Sequence, residues 1–466
     1  MSLPASKTRA NWGSRIGFVL AATGSAVGLG NLWKFPYITW HNNGGAFVLV
    51  YLVAVLLIGW PIMMAEILIG RHTQESAVPA FDRLGGKWWS LVGWLGVTTG
   101  LVILGYYAVI AGWTLSSFVS CIQWSFTQYE EPAAGSFKEF LANGPLQLLL
   151  SSLFLMATML IVMKGINKGI ELATRILMPI LLLIVVYLVV MVLFLPGVGQ
   201  TFEFLFTPNF ATFPASGVLE AVGHAFFTLS LGMGAMLTYG SYMPRHESIA
   251  KSAAMVVLLD TAIALCACII MFTIIFSSTA GGATVSGSTI GMLFITVPRL
   301  LYTKIPFGAV VAPIFYVLVA FAALSSTISL LEVLVALLVD KLKLARAKAT
   351  LVAGGAVFTI SICCALSLGS LSFLSDFTFF GEGKEGVLST LDHLAANWML
   401  PIGGLFTTVF VGWFLDKKIC AAEIGMQRPN GSPTVLYQIF RFCLRYTAPL
   451  AILAVIVAVI LGKDFA

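Results

Sequence analysis

Two short stretches place glycine and polar side chains inside otherwise apolar runs. The first reads Gly24-Ser25-Ala26-Val27-Gly28-Leu29-Gly30-Asn31, and the second Thr228-Leu229-Ser230-Leu231-Gly232-Met233-Gly234. Glycine in a helix interior costs about 1 kcal/mol relative to alanine, so the three between Gly24 and Gly30 favour local unwinding. Unwound backbone inside a membrane exposes N–H and C=O groups that protein, water or a ligand must satisfy. Carbonyls suit a hard cation such as Na⁺, and N–H groups at the start of a half-helix suit a carboxylate. Small-residue patterns also serve helix packing. Polar residues inside both breaks favour the binding reading.

Three carboxyls sit in apolar surroundings: Glu66, Asp260 and Glu332. Acids inside a membrane are costly and usually functional. Asp260, in Val-Val-Leu-Leu-Asp-Thr-Ala, has no cation near it in sequence and is a candidate cation ligand. Glu66 is either a partner for the exposed backbone of a break or a structural hydrogen-bonded acid. The role of Glu332 stays open. His224, six residues before Ser230, reads as a packing or gating residue rather than a proton carrier. Ser325, Ser326 and Thr327 form a hydroxyl run that either bonds its own helix at i−4 or faces a break. The phenol of Tyr106 or Tyr107 could bond between helices or hold a carboxylate.

The elements that must position these groups are membrane helices. Of the 466 residues 59% are hydrophobic and 10% charged, against about 25% charged in a soluble domain. Mean hydropathy is +0.97. A soluble enzyme, a disordered chain and a nucleic-acid binder are excluded. The seven cysteines show no CxxC pair and no metal spacing with histidine, and no cleavable signal peptide is read. A bilayer core needs roughly 20 apolar residues per helix. Eleven such stretches lie near 12–38, 44–70, 89–124, 146–164, 168–195, 216–243, 248–277, 307–340, 349–370, 394–415 and 434–462. With the N-terminus inside, twenty of the 26 Lys and Arg residues fall on the cytoplasmic side and six outside, as the positive-inside rule requires. The C-terminus is then extracellular. This asymmetry accounts for the net charge of +6. The outer loops 196–215 and 278–306 are long enough to act as lids or gates. The two breaks stand five spans apart. An odd separation inverts topology, so 12–195 and 216–415 are expected to be inverted repeats, with 434–462 as an added span.

Several motifs give this chain a family resemblance. Arg9 to Trp12 precede the first span; GSAVGLGNLWKFP runs from Gly24 to Pro36; Gly44-Gly45-Ala46-Phe47 opens the second span; AFFTLSLGMG runs from Ala225 to Gly234; Gly169 is followed by Pro179. The chain resembles the bacterial branch of the neurotransmitter:sodium symporter family over essentially its whole length, with eleven spans where the family usually has twelve. The resemblance implies an all-α integral membrane protein with a five-plus-five inverted-repeat fold and unwound helices 1 and 6. It implies no enzymatic activity and Na⁺-coupled import of hydrophobic L-amino acids across the cell inner membrane, in contact with lipid.

Site residues follow from the same resemblance. A first Na⁺ would bind Ala26, Asn31, Thr228, Asp260 and the substrate carboxylate. A second would bind Gly24, Val27, Ala322, Ser325 and Ser326. The substrate would meet Ala26, Gly28, Leu29, Gly30, Ile103, Tyr107, Phe227, Thr228, Ser230, Met233, Met236, Ser326 and Leu330. Amine-transporting relatives carry Asp at the position of Gly28, so glycine implies amino acids over monoamines. Met233 and Met236 suit a broad range that includes tryptophan, tyrosine, phenylalanine and leucine. Asp260 stands where the family's leucine-transporter pattern has an Asn, and its charge could stand in for the chloride of animal members. Lys34 with Asp392 would form an outer gate, and Arg9 with Asp340 an inner gate beneath Trp12. Gly169 and Pro179 would let helix 5 unwind and release the second ion. A proton-coupled carrier or channel of the same fold, relaying through Glu66, Asp260 and His224, is the competing reading. A membrane enzyme is disfavoured, because no HExxH, GxSxG or nucleotide loop is present.

Overall fold

The computed structural model describes residues 10–133, 135–278, 289–305, 307–380, 385–425 and 434–463. Among them every regular element is helical. Nine helices among the described residues are long and apolar enough to cross a membrane unbroken. They are spans 2 to 5 (Gly45–Thr73, Ser90–Thr127, Gly144–Met163 and Ile166–Val192) and spans 7 to 11 (Ile249–Ser277, Gly308–Leu342, Arg346–Leu366, Val387–Phe414 and Val435–Ile460). Span 1 is a bent pair, Arg15–Ala26 and Gly30–His41, meeting at 51°. Span 6 is split into Ala215–Thr228 and Ala235–Gly240, each too short to cross alone.

Both breaks fall where glycine predicts them. In span 6 the backbone turns left-handed at Ser230 (φ 53°), Gly232 (φ 77°) and Gly234 (φ 74°). A β-carbon on Gly232 would lie 2.5 Å from the Leu400 carbonyl, so both conformation and space require glycine there. Span 10 starts seven residues earlier than hydropathy suggests. Asp392 and His393 lower the score of its first turns, yet Thr390 and His393 are buried within the protein.

The first half of span 1 is enclosed by spans 5, 7 and 8, and span 8 runs along span 3. Span 2 and the second half of span 6 approach through two glycines. A β-carbon on Gly70 would lie 1.9 Å from the Leu237 carbonyl, and one on Gly240 2.7 Å from that of Ile67. The outer surface is apolar in helical stripes. Leu149, Leu153, Met156 and Leu160 of span 4 are all exposed, a spacing that lines one face for a hydrocarbon solvent. The long outer loops carry structure of their own. Val198–Phe206 packs on spans 2 and 7, and Val297–Lys304 packs on spans 7 and 8. Residues 279–288 of the second loop lie outside the described residues.

Candidate functional site

The break in span 1 collects oxygen atoms on two sides. On one side the Ser326 hydroxyl lies 3.5, 3.3 and 3.4 Å from the carbonyls of Gly24, Ser25 and Val27. Ser325 donates to the Ala322 carbonyl at 3.0 Å. One hydroxyl proton cannot satisfy three carbonyls. The surplus lone pairs make the kind of all-oxygen shell a hard cation takes. All five residues expected at the second ion meet here, and Ser25 joins them. No group of three His, Cys, Asp or Glu able to hold a metal occurs among the described residues, and all seven cysteines are free. The donor chemistry therefore suits Na⁺ rather than a transition metal.

On the other side stand Asn31, Thr228 and Asp260, all buried. The Asn31 carboxamide oxygen accepts from Gly28 N–H at 3.0 Å, and its nitrogen donates to Asp260 Oδ1 at 2.8 Å. The Thr228 hydroxyl lies 3.1 and 3.2 Å from the two carboxylate oxygens. These partners of Asp260 are neutral. A buried carboxylate without a compensating charge is strongly unfavourable, so this cluster calls for a cation or a proton.

Between the two clusters lies a cavity of ≈ 30 Å³ bounded by Ala26, Gly28, Gly30, Ile103, Tyr107, Phe227, Thr228, Ser230, Met233, Ser326 and Leu330. That is room for about one water, so a larger occupant has to displace side chains. Leu29 N–H donates to the Tyr107 hydroxyl at 2.9 Å. Ser230 donates to the Ser25 carbonyl at 2.8 Å, fastening one break to the other. Two assignments change. Met236 is fully buried and does not line the cavity, because the second half of span 6 has restarted at Ala235 and turns that side chain away. Ser25 does line it, and its hydroxyl donates to Ser329 at 2.7 Å. Its place between Gly24 and Ala26 in a break was the available signal.

Glu66 reaches the second break. Gly232 N–H donates to its Oε1 at 2.7 Å. Glu66→Ala would leave that N–H buried without this acceptor, at a cost of about 1–3 kcal/mol. Thermal unfolding in detergent should show a midpoint lowered by a few degrees, with Glu66→Gln close to wild type. His224 stacks on Phe35 at 5.3 Å, and neither ring nitrogen has a hydrogen-bond partner among the described residues. It joins neither Glu66 nor Asp260, and packing accounts for it.

The gates are formed differently from expectation on the Lys34 side. Lys34 Nζ sits 5.3 Å from the centre of the Phe227 ring and lines a small cavity with Glu220, His224, Ala396 and Asn397. No ion pair joins it to Asp392 among the described residues. Asp392 lies one helical turn before Ala396 on the same face of span 10, so at the level of Lys34 that face presents Ala396 and Asn397 instead.

At the opposite end Trp12 is buried. Its indole donates to the Tyr239 carbonyl at 2.9 Å, its backbone N–H to the Tyr242 carbonyl at 3.0 Å, and its ring meets Phe18, Tyr239 and Tyr242 edge-on. Asp340 accepts from Ser76 N–H at 2.8 Å. Arg9, its expected partner, lies outside the described residues. Glu332 pairs with Arg346 and accepts from the Tyr242 hydroxyl at 2.7 Å. Gly169 and Pro179 lie in a wound stretch, a π-helical turn Ile166–Glu171 followed by Leu172–Val192. A β-carbon on Gly169 would lie 2.1 Å from the Ile161 carbonyl.

The chain is similar to known proteins in sequence and fold. The model of the sodium:neurotransmitter symporter family matches residues 9–132 and 126–464. The crystal structure of MhsT in complex with L-phenylalanine superposes with a TM-score of 0.86, at 38% identity, over 97% of this chain and 100% of that one. An uncharacterized sodium-dependent transporter of Bacillus subtilis, YhdH, is 35% identical over 95% of this chain and 96% of its own. Human sodium- and chloride-dependent GABA transporter 2 is 25% identical over 88% of this chain and 74% of its own. The eleven helical spans, the two unwound segments and these matches together place the chain in the sodium:neurotransmitter symporter family, whose members are sodium-dependent membrane transporters and not enzymes.

Proposed function

We propose that this symporter imports hydrophobic L-amino acids, aliphatic and aromatic, with two Na⁺ ions. The observation that carries the reading is the meeting of Asn31, Thr228 and Asp260 on one side of the span 1 break and of Ser325, Ser326 and three backbone carbonyls on the other. The first group holds one ion with the Ala26 carbonyl, and the substrate carboxylate completes its shell. Substrate and ion then bind with positive coupling, which is reciprocal by linkage. The carboxylate also meets Leu29 and Gly30 N–H and the Tyr107 hydroxyl. The ammonium meets carbonyls of Ala26, Phe227 and Thr228. The side chain lies against Ile103, Phe227, Met233 and Leu330, an apolar lining that supports the hydrophobic class. The phenylalanine bound to MhsT supports it independently.

The second ion ties span 1 to span 8. Its loss, with unwinding of span 5 between Gly169 and Pro179, opens the Trp12 end. The surplus of basic residues on that face supports a cytoplasmic Trp12 end, with the protein working in the cell inner membrane. Residues 12–195 and 216–415 act as two inverted halves rocking about the site. Two Na⁺ and a zwitterion move net positive charge, and each ion gains about 2.3 kcal/mol per 100 mV of membrane potential.

Binding of labelled phenylalanine to purified protein tests the substrate class. Tryptophan, tyrosine and leucine should displace it in Na⁺, whereas GABA and glycine should not. Displacement by GABA but not by leucine would contradict the reading. Asn31→Ala and Ser326→Ala each remove one ion ligand, about 1.5 kcal/mol or more. Each should weaken apparent Na⁺ affinity about tenfold; unchanged Na⁺ titrations in both would remove the site assignments.

A further inference from the structure

The start of span 5 grips the start of span 1. Asn167, Glu171 and Arg175 are spaced four apart and share one face of span 5. The Glu171 carboxylate is buried, 3% exposed. It accepts from Gly13 N–H at 2.8 Å and from the Asn167 carboxamide at 3.2 Å, and pairs with Arg175 at 2.6 Å. Asn167 also donates to the Asn11 carbonyl at 2.9 Å. Arg175 donates to the Ser14 hydroxyl at 2.7 Å, and Ser14 caps span 1 by accepting from Gly17 N–H at 3.0 Å. The fit is tight: a β-carbon on Gly17 would lie 2.1 Å from Glu171 Oε1, and one on Gly13 3.2 Å. A carboxylate beside the first N–H groups of a helix is favoured by the helix dipole. The gripped residues flank Trp12, the aromatic plug at this end. Glu171 and Arg175 both lie between Gly169 and Pro179.

We propose that Glu171 is a positioning residue of transport, coupling the winding of span 5 to closure of the Trp12 end. While span 5 is wound, Glu171 and Arg175 stand one turn apart and hold residues 11–14. Unwinding after Gly169 separates them and frees the Gly13 N–H, so the Trp12 segment is released in the same event. The proposal deepens the release step above and rests on that reading for the unwinding of span 5 and for the order of events.

Hydrogen–deuterium exchange of the full-length protein tests it, in saturating Na⁺ with phenylalanine and again in K⁺. Glu171→Ala should raise exchange about five- to tenfold at both 10–18 and 166–176 in Na⁺, with other spans unchanged. Glu171→Gln, which keeps an acceptor for Gly13 but loses the ion pair, should fall between. Should Glu171→Ala fail to fold, Glu171→Gln and Arg175→Ala carry the test, each expected to raise both segments twofold or more. A rise in only one of the two segments, or a uniform rise across all spans, would overturn the proposal, since a merely structural residue loosens the fold without linking these segments. Wild-type exchange that ignores Na⁺ would instead defeat the sodium-release reading, and the variant comparison would still decide the grip.

Discussion

Gly28→Ala should abolish amino-acid uptake, lowering it a hundredfold or more, while the protein stays folded. The added β-carbon would lie 2.6 Å from Ser326 Oγ and 2.9 Å from the Tyr107 hydroxyl. Neither group moves freely. Tyr107 accepts from Leu29 N–H at 2.9 Å, and Ser326 stands among three carbonyls of the break. On the proposed assignments, displacing both removes a contact to the substrate carboxylate and one to the second ion. Hydrogen bonds to charged groups contribute about 1.5–3 kcal/mol each, and 1.4 kcal/mol is tenfold. Uptake into proteoliposomes at matched protein, with thermal unfolding as control, gives the result. Uptake within tenfold of wild type would mean that this wall of the cavity is not the substrate wall. Gly28→Asp should be no better, because its charge would also repel the carboxylate.

Asp260→Ala should lower apparent Na⁺ affinity about a hundredfold. The carboxylate gathers the Asn31 amide and the Thr228 hydroxyl, and those partners are neutral. Two opposite charges about 4 Å apart attract by about 4 kcal/mol at an effective dielectric of 20. Desolvation offsets part of that. Asp260→Asn keeps a hydrogen-bonding group of the same shape and loses the charge, so an intermediate loss of about tenfold is expected. Na⁺ titrations of phenylalanine binding measure both. If Asp260 carried a proton instead, Asp260→Asn would leave Na⁺ affinity unchanged and remove any response of uptake to a pH gradient.

Much of this site was legible because its signals are local. Glycine clusters announced both breaks, and a lone acid in an apolar run announced Asp260 and Glu66. The hydroxyl pair Ser325–Ser326 came with the family motif, since hydroxyls in apolar helices more often bond their own backbone. What the sequence hid depends on helix rotation and on contacts distant along the chain. Asp392 and Ala396 share a face one turn apart, and only the level at which span 10 sits along its axis decides which of them stands beside Lys34. Met236 looked like a wall of the cavity until the left-handed turn at Gly234 reset the helix. Glu332 finds Arg346 fourteen residues away across a reversal of the chain. Glu171 bonds Gly13 across 158 positions, and no local pattern marks that pair. The start of span 10 was hidden because hydropathy averages over a turn whose polar residues are buried in protein.

If ion and substrate occupy one shared site, they move together. Labelled tryptophan and leucine uptake into proteoliposomes measures this, with an inward Na⁺ gradient, with choline or K⁺ in place of Na⁺, and with a proton gradient alone. Uptake of both amino acids only with Na⁺, enhanced by an inside-negative potential, is the predicted result. Equal uptake driven by the proton gradient without Na⁺ would contradict it.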